Sequence, residues 1–192
     1  RTAHTEISDK MVVKQNKIPY NYITRDEAQK LACEMNYEGY TSSLIFGIQW
    51  DLVLKYIETK KIITDSEIDT KLISKSTTIG NYYENLWNIT NENSKYAILN
   101  TSNYTLDWTS GAYGVKGSSK EILLSTGASE TFSKQGIYDI AGNVYEWTLE
   151  YTSDSSNPCA KRGGGYHRNG SNTPAAYRDY NLTTYFNDNL GF

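Results

Sequence analysis

Residues 136–147 read Gly136-Ile137-Tyr138-Asp139-Ile140-Ala141-Gly142-Asn143-Val144-Tyr145-Glu146-Trp147. Tyr145, Trp147 and Leu149 alternate with polar residues, the period-2 pattern of a strand with one buried face. Beyond the strand, Asn157-Pro158 marks a turn, and Arg162-Gly163-Gly164-Gly165-Tyr166 follows it. Three consecutive glycines weaken a strand unless the backbone must approach another segment closely. From Tyr166 to Phe192 no period is visible, and the residues are mostly Asn, Asp, Tyr, Thr, Arg and Gly.

On the N-terminal side, residues 60–135 are rich in Ser, Thr, Asn, Tyr and Gly, with short apolar stretches such as Tyr96-Ala97-Ile98-Leu99. They read as long loops with brief strands and hold too few apolar residues for a core of their own. Two helices precede them. Thr24-Arg25-Asp26-Glu27 is a capping box, and Ala28, Leu31, Ala32 and Met35 recur behind it, which predicts a helix over 25–36 with Cys33 on or beside its apolar stripe. From Gly47 to Thr59, Ile48, Trp50, Val53, Leu54 and Ile57 share a broad face and predict a second, core-facing helix.

Composition excludes several classes of function. The 192 residues carry a formal net charge of -3, which offers no electrostatic footprint for a nucleic-acid backbone. No apolar run approaches the roughly 20 residues of a bilayer-spanning helix, so no membrane insertion is expected. The 2 His (His4, His167) and 2 Cys (Cys33, Cys159) lie far apart in sequence, which makes a closed zinc site improbable. They also leave no Ser-His-Asp or Cys-His nucleophile system unless one His serves alone. The 17 Tyr against 4 Phe imply a half-wet surface that contacts something. Folding would bury roughly 70 % of the surface of a chain this long, enough for one domain over 1–192. The start at Arg1 reads as a processed or excised C-terminal part of a longer protein.

Residues 136–147 resemble the "G-x-x-D-x-x-G-N-V-W-E-W" signature of the formylglycine-generating, sulfatase-modifying family. Arg162-Gly163-Gly164-Gly165-Tyr166 resembles its "R-G-G-S-W" element, and Asn189-Leu190-Gly191-Phe192 its terminal "N-I-G-F-R". Ser43-Leu44-Ile45-Phe46-Gly47-Ile48-Gln49-Trp50-Asp51 is similar to a bacterial branch of the same family. The resemblance implies an α+β, C-type-lectin-like fold: two helices, a small twisted antiparallel sheet and many long loops. The family's enzymes oxidise a substrate cysteine with two cysteines placed a few residues after the glycine-rich element. Counting along the motif puts Arg168 and Thr173 at those positions, and neither can be a thiolate or a copper ligand. The resemblance also implies calcium near the "G-N-V" motif, with Asn143 and Glu146 as candidate oxygen ligands. The alternative is a hydrogen-bonded turn that orients Trp147. No other cofactor is expected.

A second resemblance lies in the tail. Between Gly165 and Leu190 there is no Lys, Glu, Gln, Met or Trp, although composition leads one to expect about five such residues. These are the types that Asn codons with randomised adenines cannot reach. The tail, a variable region of about 165–190, is similar to that of variable proteins of diversity-generating retroelements, which use the C-type-lectin-like fold as a scaffold. The expected ligand-binding residues are His167, Arg168, Asn169, Asn172, Thr173, Tyr177, Asp179, Tyr180, Asn181, Tyr185 and Asp188, mainly on one contiguous exposed face. Arg162 and Arg178 read as structural, pairing with carbonyls or acids. The expected partner is a protein or carbohydrate on a host or neighbouring cell surface, met outside the cell on a virion or bacterial surface. In that oxidising setting Cys33 and Cys159 form a disulfide or remain free thiols. The alternative functions are a formylglycine-generating oxidase and a non-diversified carbohydrate-binding adhesin.

Overall fold

The computed structural model describes residues 2–3, 11–35, 38–60, 69–100 and 105–192; His4 and position 36 lie outside them. The chain opens with β1 (Thr2–Ala3), β2 (Val12–Val13), α1 (Arg25–Glu34) and α2 (Gly47–Thr59). A π-helical turn at Asp69–Ser74 and a 3-10 turn at Thr77–Ile79 lead to β3 (Trp87–Ile89), β4 (Lys95–Asn100), β5 (Thr105–Ser110), β6 (Gly114–Lys116) and β7 (Ile122–Leu124). After a 3-10 turn at Glu130–Phe132 come β8 (Ser133–Lys134), β9 (Ile137–Tyr138), β10 (Tyr145–Tyr151), β11 (Cys159–Arg162), β12 (Arg178–Asn181) and β13 (Leu190–Gly191).

The capping box forms as the sequence requires. Glu27 Oε2 accepts from the Thr24 backbone N–H at 3.1 Å and from its hydroxyl at 2.7 Å, and the Thr24 hydroxyl oxygen faces the Glu27 N–H at 3.4 Å. Ala28 and Ala32 are buried, while Cys33 is exposed and lies off the apolar stripe. In α2, Trp50, Leu54 and Ile57 face the core, but Ile48 is 68 % exposed, in line with Leu52 and Tyr56 on the outer side. This helix is apolar on both sides, so its periodicity does not single out the buried face.

The main sheet has the order β12-β11-β10-β13, with β13 parallel to β10 and the other pairs antiparallel. Trp147 on β10 is 1 % exposed and donates its indole N–H to Ile23 O at 2.9 Å, just before α1. Around it, Ile23, Ala28, Ala32, Leu44, Cys159, Leu190 and Phe192 form one core cluster. Residues 87–124 carry a three-stranded sheet, β5-β4-β7, and the pair β3-β6. Gly142 has φ +68°, and a Cβ there would meet Asn81 O at 2.3 Å, so the motif's glycine permits contact between two backbones. Among the described residues no helix is long and apolar enough to cross a membrane. Among the described residues, two α-helices, small and mostly antiparallel sheets, and long loops make the α+β, C-type-lectin-like architecture.

Candidate ligand-binding site

The tail leaves β11 through the glycine triplet, and its geometry explains the glycines. Gly163 has φ +89° and packs on Trp50; Gly164 has φ +77°, and a Cβ there would meet Thr173 O at 2.3 Å. Backbone bonds from upstream segments hold the tail from behind. Tyr83 N–H donates to Arg168 O at 2.9 Å, Ser76 N–H to Gly170 O at 3.0 Å, and Ala176 N–H to Leu72 O at 2.9 Å. The Tyr82 hydroxyl lies 2.9 Å from Thr173 O and 3.1 Å from Gly163 O.

Side-chain exposure then changes along the chain. Arg162 to Tyr166 and Leu190 to Phe192 are all buried. Between them Arg168, Asn169, Asn172 and Tyr180 are exposed, and His167, Tyr177, Asp179, Asn181 and Tyr185 are half-buried. Two candidates do not belong to an exposed surface: Thr173 is 5 % exposed and Asp188 is 9 % exposed. Thr173 hydrogen-bonds the Tyr145 hydroxyl. Asp188 Oδ2 accepts from the Tyr166 hydroxyl, and its backbone carbonyl accepts from the Asn21 side chain. Both serve the scaffold.

Among the expected residues, Tyr180 departs from the shared face. β12 pairs with β11 in the register Lys161↔Asp179 and Ala160↔Tyr180. Successive side chains on a strand point to opposite faces. Asp179 therefore lies with Lys161, whereas Tyr180 lies on the other face, at a shallow groove with Glu150, Tyr151 and Asp154. Arg178 shares that second face. Its Nε bonds Glu150 Oε1 at 2.8 Å, and buried Arg162 bonds Asp51 and donates to Ala176 O at 2.8 Å. Arg162 fills the structural role read for it; Arg178 does so with its side chain 38 % exposed.

On the first face the structure brings six tail residues together: His167, Arg168, Thr173, Tyr177, Asp179 and Tyr185. They surround Tyr145 and Lys161, which the sequence reading did not include. Lys161 is 5 % exposed; its ammonium lies 4.7 Å from the Tyr145 ring centre, 5.2 Å from that of Tyr185, and 3.2 Å from Asp179 Oδ2. A cation stacked between aromatic faces and closed by a carboxylate is a stable arrangement in a partly dry site. Only the β11-β12 register reveals it; the one sequence signal is that Lys161 directly precedes the Arg-Gly-Gly element.

Burial raises the Tyr145 hydroxyl to about 12. Burial, and then the positive charges of Arg168 and Lys161, push the His167 imidazole down to about 4. The ring packs edge-on to Tyr166 and Tyr145, with centroids 5.5 and 6.2 Å away. At pH 7 it is therefore neutral, and its buried Nδ1 has no hydrogen-bond partner. The Tyr177 hydroxyl is raised by burial and then by Asp179. The site offers aromatic faces, a neutral imidazole and charged groups on a fixed floor, which suits binding by surface complementarity.

Of the two calcium candidates, Asn143 takes the alternative reading. Asn143 is fully buried; its Oδ1 accepts from Asn81 Nδ2 at 2.9 Å and from Leu124 N–H at 3.0 Å, and its Nδ2 donates to Leu124 O at 3.0 Å. That is the hydrogen-bonded turn, with no oxygen left to turn toward a cation. The disulfide is not formed either: Cys33 on α1 is exposed, Cys159 in β11 is buried, and both are free.

Among solved structures, the crystal structure of CarF is 16 % identical, with a TM-score of 0.47, over 90 % of this chain and 64 % of that one. Treponema denticola variable protein 1 is 16 % identical, with a TM-score of 0.32, over 99 % of this chain and 52 % of that one. The chain thus spans between half and two thirds of the length of these structures. No curated protein matches it. A family model, the sulfatase-modifying factor enzyme 1-like domain, matches residues 6–192, and to that family the chain belongs.

Proposed function

We propose that the chain is a non-enzymatic ligand- or receptor-binding domain whose tail, about 165–190, is a diversified display surface. The observation that carries this reading is that a compositional gap covers a segment whose side chains open to solvent. The stretch without Lys, Glu, Gln, Met or Trp runs from Arg162 to Phe192, and within it side chains open to solvent between buried Arg162–Tyr166 and buried Leu190–Phe192. Substitution is tolerable where packing does not constrain shape. Tyr177 and Tyr185 supply contact area at low rotamer cost, and Arg168, Asn169, Asn172 and Asp179 supply directional hydrogen bonds. The partner in this reading is a protein or carbohydrate on a host or neighbouring cell, met from a virion or bacterial surface.

The family's oxidase chemistry has no nucleophile here. Exposed Arg168 and buried Thr173 occupy the thiol positions, and Cys33 and Cys159 lie on α1 and β11. The fold is a scaffold, and function follows from the groups placed on it.

Randomising Arg168, Asn169, Asn172 and Tyr180 together, and melting a sample of the clones, tests the reading. Most clones are expected to melt within a few degrees of the parent, because exposed substitutions change stability by about 0.5 kcal/mol or less. General loss of folding would refute a display surface.

A further inference from the structure

Lys116 closes β6, about fifty residues before the tail, and is 1 % exposed. Its ammonium donates to Tyr82 O at 2.7 Å, Asn85 O at 2.8 Å and Tyr83 O at 3.0 Å, and lies 5.5 Å from the Trp87 ring centre. Its three N–H groups are thus directed at the carbonyls of a single turn. Converging carbonyl oxygens repel one another unless a cation sits at their focus.

The same turn grips the tail. Tyr83 N–H donates to Arg168 O at 2.9 Å. Glu84 Oε1 accepts from Gly170 N–H at 2.8 Å and from the Thr77 hydroxyl at 2.7 Å. The Tyr82 hydroxyl lies 2.9 Å from Thr173 O. Gly170 fits so closely that a Cβ there would meet Thr77 N at 2.4 Å. Every residue from Tyr82 to Asn85 thus either points a carbonyl at Lys116, bonds the loop 168–173, or does both.

We propose that Lys116 is a positioning residue for the binding surface: its ammonium is a cation supplied by the chain itself, which fixes turn 82–85 and through it the loop 168–173. The use of that loop in binding rests on the proposed function; its dependence on Lys116 does not.

Amide hydrogen exchange on the full chain tests this. In Lys116→Met, peptides covering 82–85 and 168–173 should exchange about tenfold faster or more, the scale of lost charge-assisted bonds, while α1 and β10 keep parental protection. In Glu84→Ala only the 168–173 peptides should accelerate, since the carbonyl seat remains filled. In Lys116→Ala, n-propylammonium chloride replaces the deleted atoms and should restore protection, whereas n-propanol and tetramethylammonium chloride should not. If Lys116→Met does not fold, recovery of folded Lys116→Ala by n-propylammonium alone supports the proposal, and failure to recover overturns it. Parental exchange at 168–173 in a folded Lys116→Met overturns it too.

Discussion

Lowering the pH from 7 to 4.5 should destabilise the protein through His167. Burial, Arg168 and Lys161 hold the folded imidazole at about 4, below the usual 6.5. Between those values the unfolded chain binds a proton that the folded chain refuses, so stability falls as the pH drops. The His167 contribution is nearly all present at pH 7, and at pH 4.5 on the order of 2–3 kcal/mol of it is gone, since each tenfold difference in proton affinity between the two states is worth about 1.4 kcal/mol. Carboxylates titrate in the same window, so the assay is a difference. Urea unfolding of the parent and of His167→Asn at pH 7 and pH 4.5 gives four stabilities. The parent should lose on the order of 2–3 kcal/mol more than the variant between the two pH values. An NMR titration of the imidazole should place its midpoint near 4. Equal losses in both proteins, or a midpoint near 6.5, would refute the buried, cation-flanked placement of the ring.

Other perturbations follow from the same geometry. Trp147→Ala should cost about 3–5 kcal/mol, as for a buried aromatic, whereas Tyr180→Asn should cost about 0.5 kcal/mol or less, read by thermal unfolding. Arg162→Met leaves Asp51 and Glu150 to Arg178 alone; with Asp51 half exposed, the loss should be near the low end for a broken buried pair, about 3 kcal/mol by urea unfolding. Incubation with a sulfatase-type cysteine peptide, with or without copper, should leave its mass unchanged. A mass loss matching conversion of Cys to formylglycine would contradict the non-enzymatic reading.

Local signals in the sequence were legible where one segment decides the outcome. The Thr24–Glu27 box closes within four residues, and the alternation of Tyr145, Trp147 and Leu149 gives β10 its buried face. The glycine triplet announced a close approach, and the structure supplies Thr173 and Trp50 as the neighbours. The rest depends on pairing that a single chain does not display. Tyr180 and Asp179 are adjacent and both polar-tipped, and only the register with β11 shows that it is Asp179 that shares the face of Lys161. Asp188 looks like a solvated acid until Tyr166, twenty-two residues away, is seen to donate to it. β3, β6 and β7 are three residues each, too short to show a period. The burial of Lys161 and of Lys116 does not show in the local pattern, because what buries them is aromatic rings and carbonyls from distant segments.

A diversified surface on a fixed scaffold is tested most directly by sequencing the DNA that flanks the gene. A reverse transcriptase gene and a near-identical, Asn-rich template copy of the region encoding 165–190 are expected there. The two copies should differ only at template adenines. The differences should fall on codons such as those of Arg168, Asn169, Asn172 and Tyr180, and spare those of Gly163, Gly164, Thr173, Asp188, Gly191 and Phe192. Absence of a template copy, or differences spread over other bases and over the buried codons, would contradict a diversified surface.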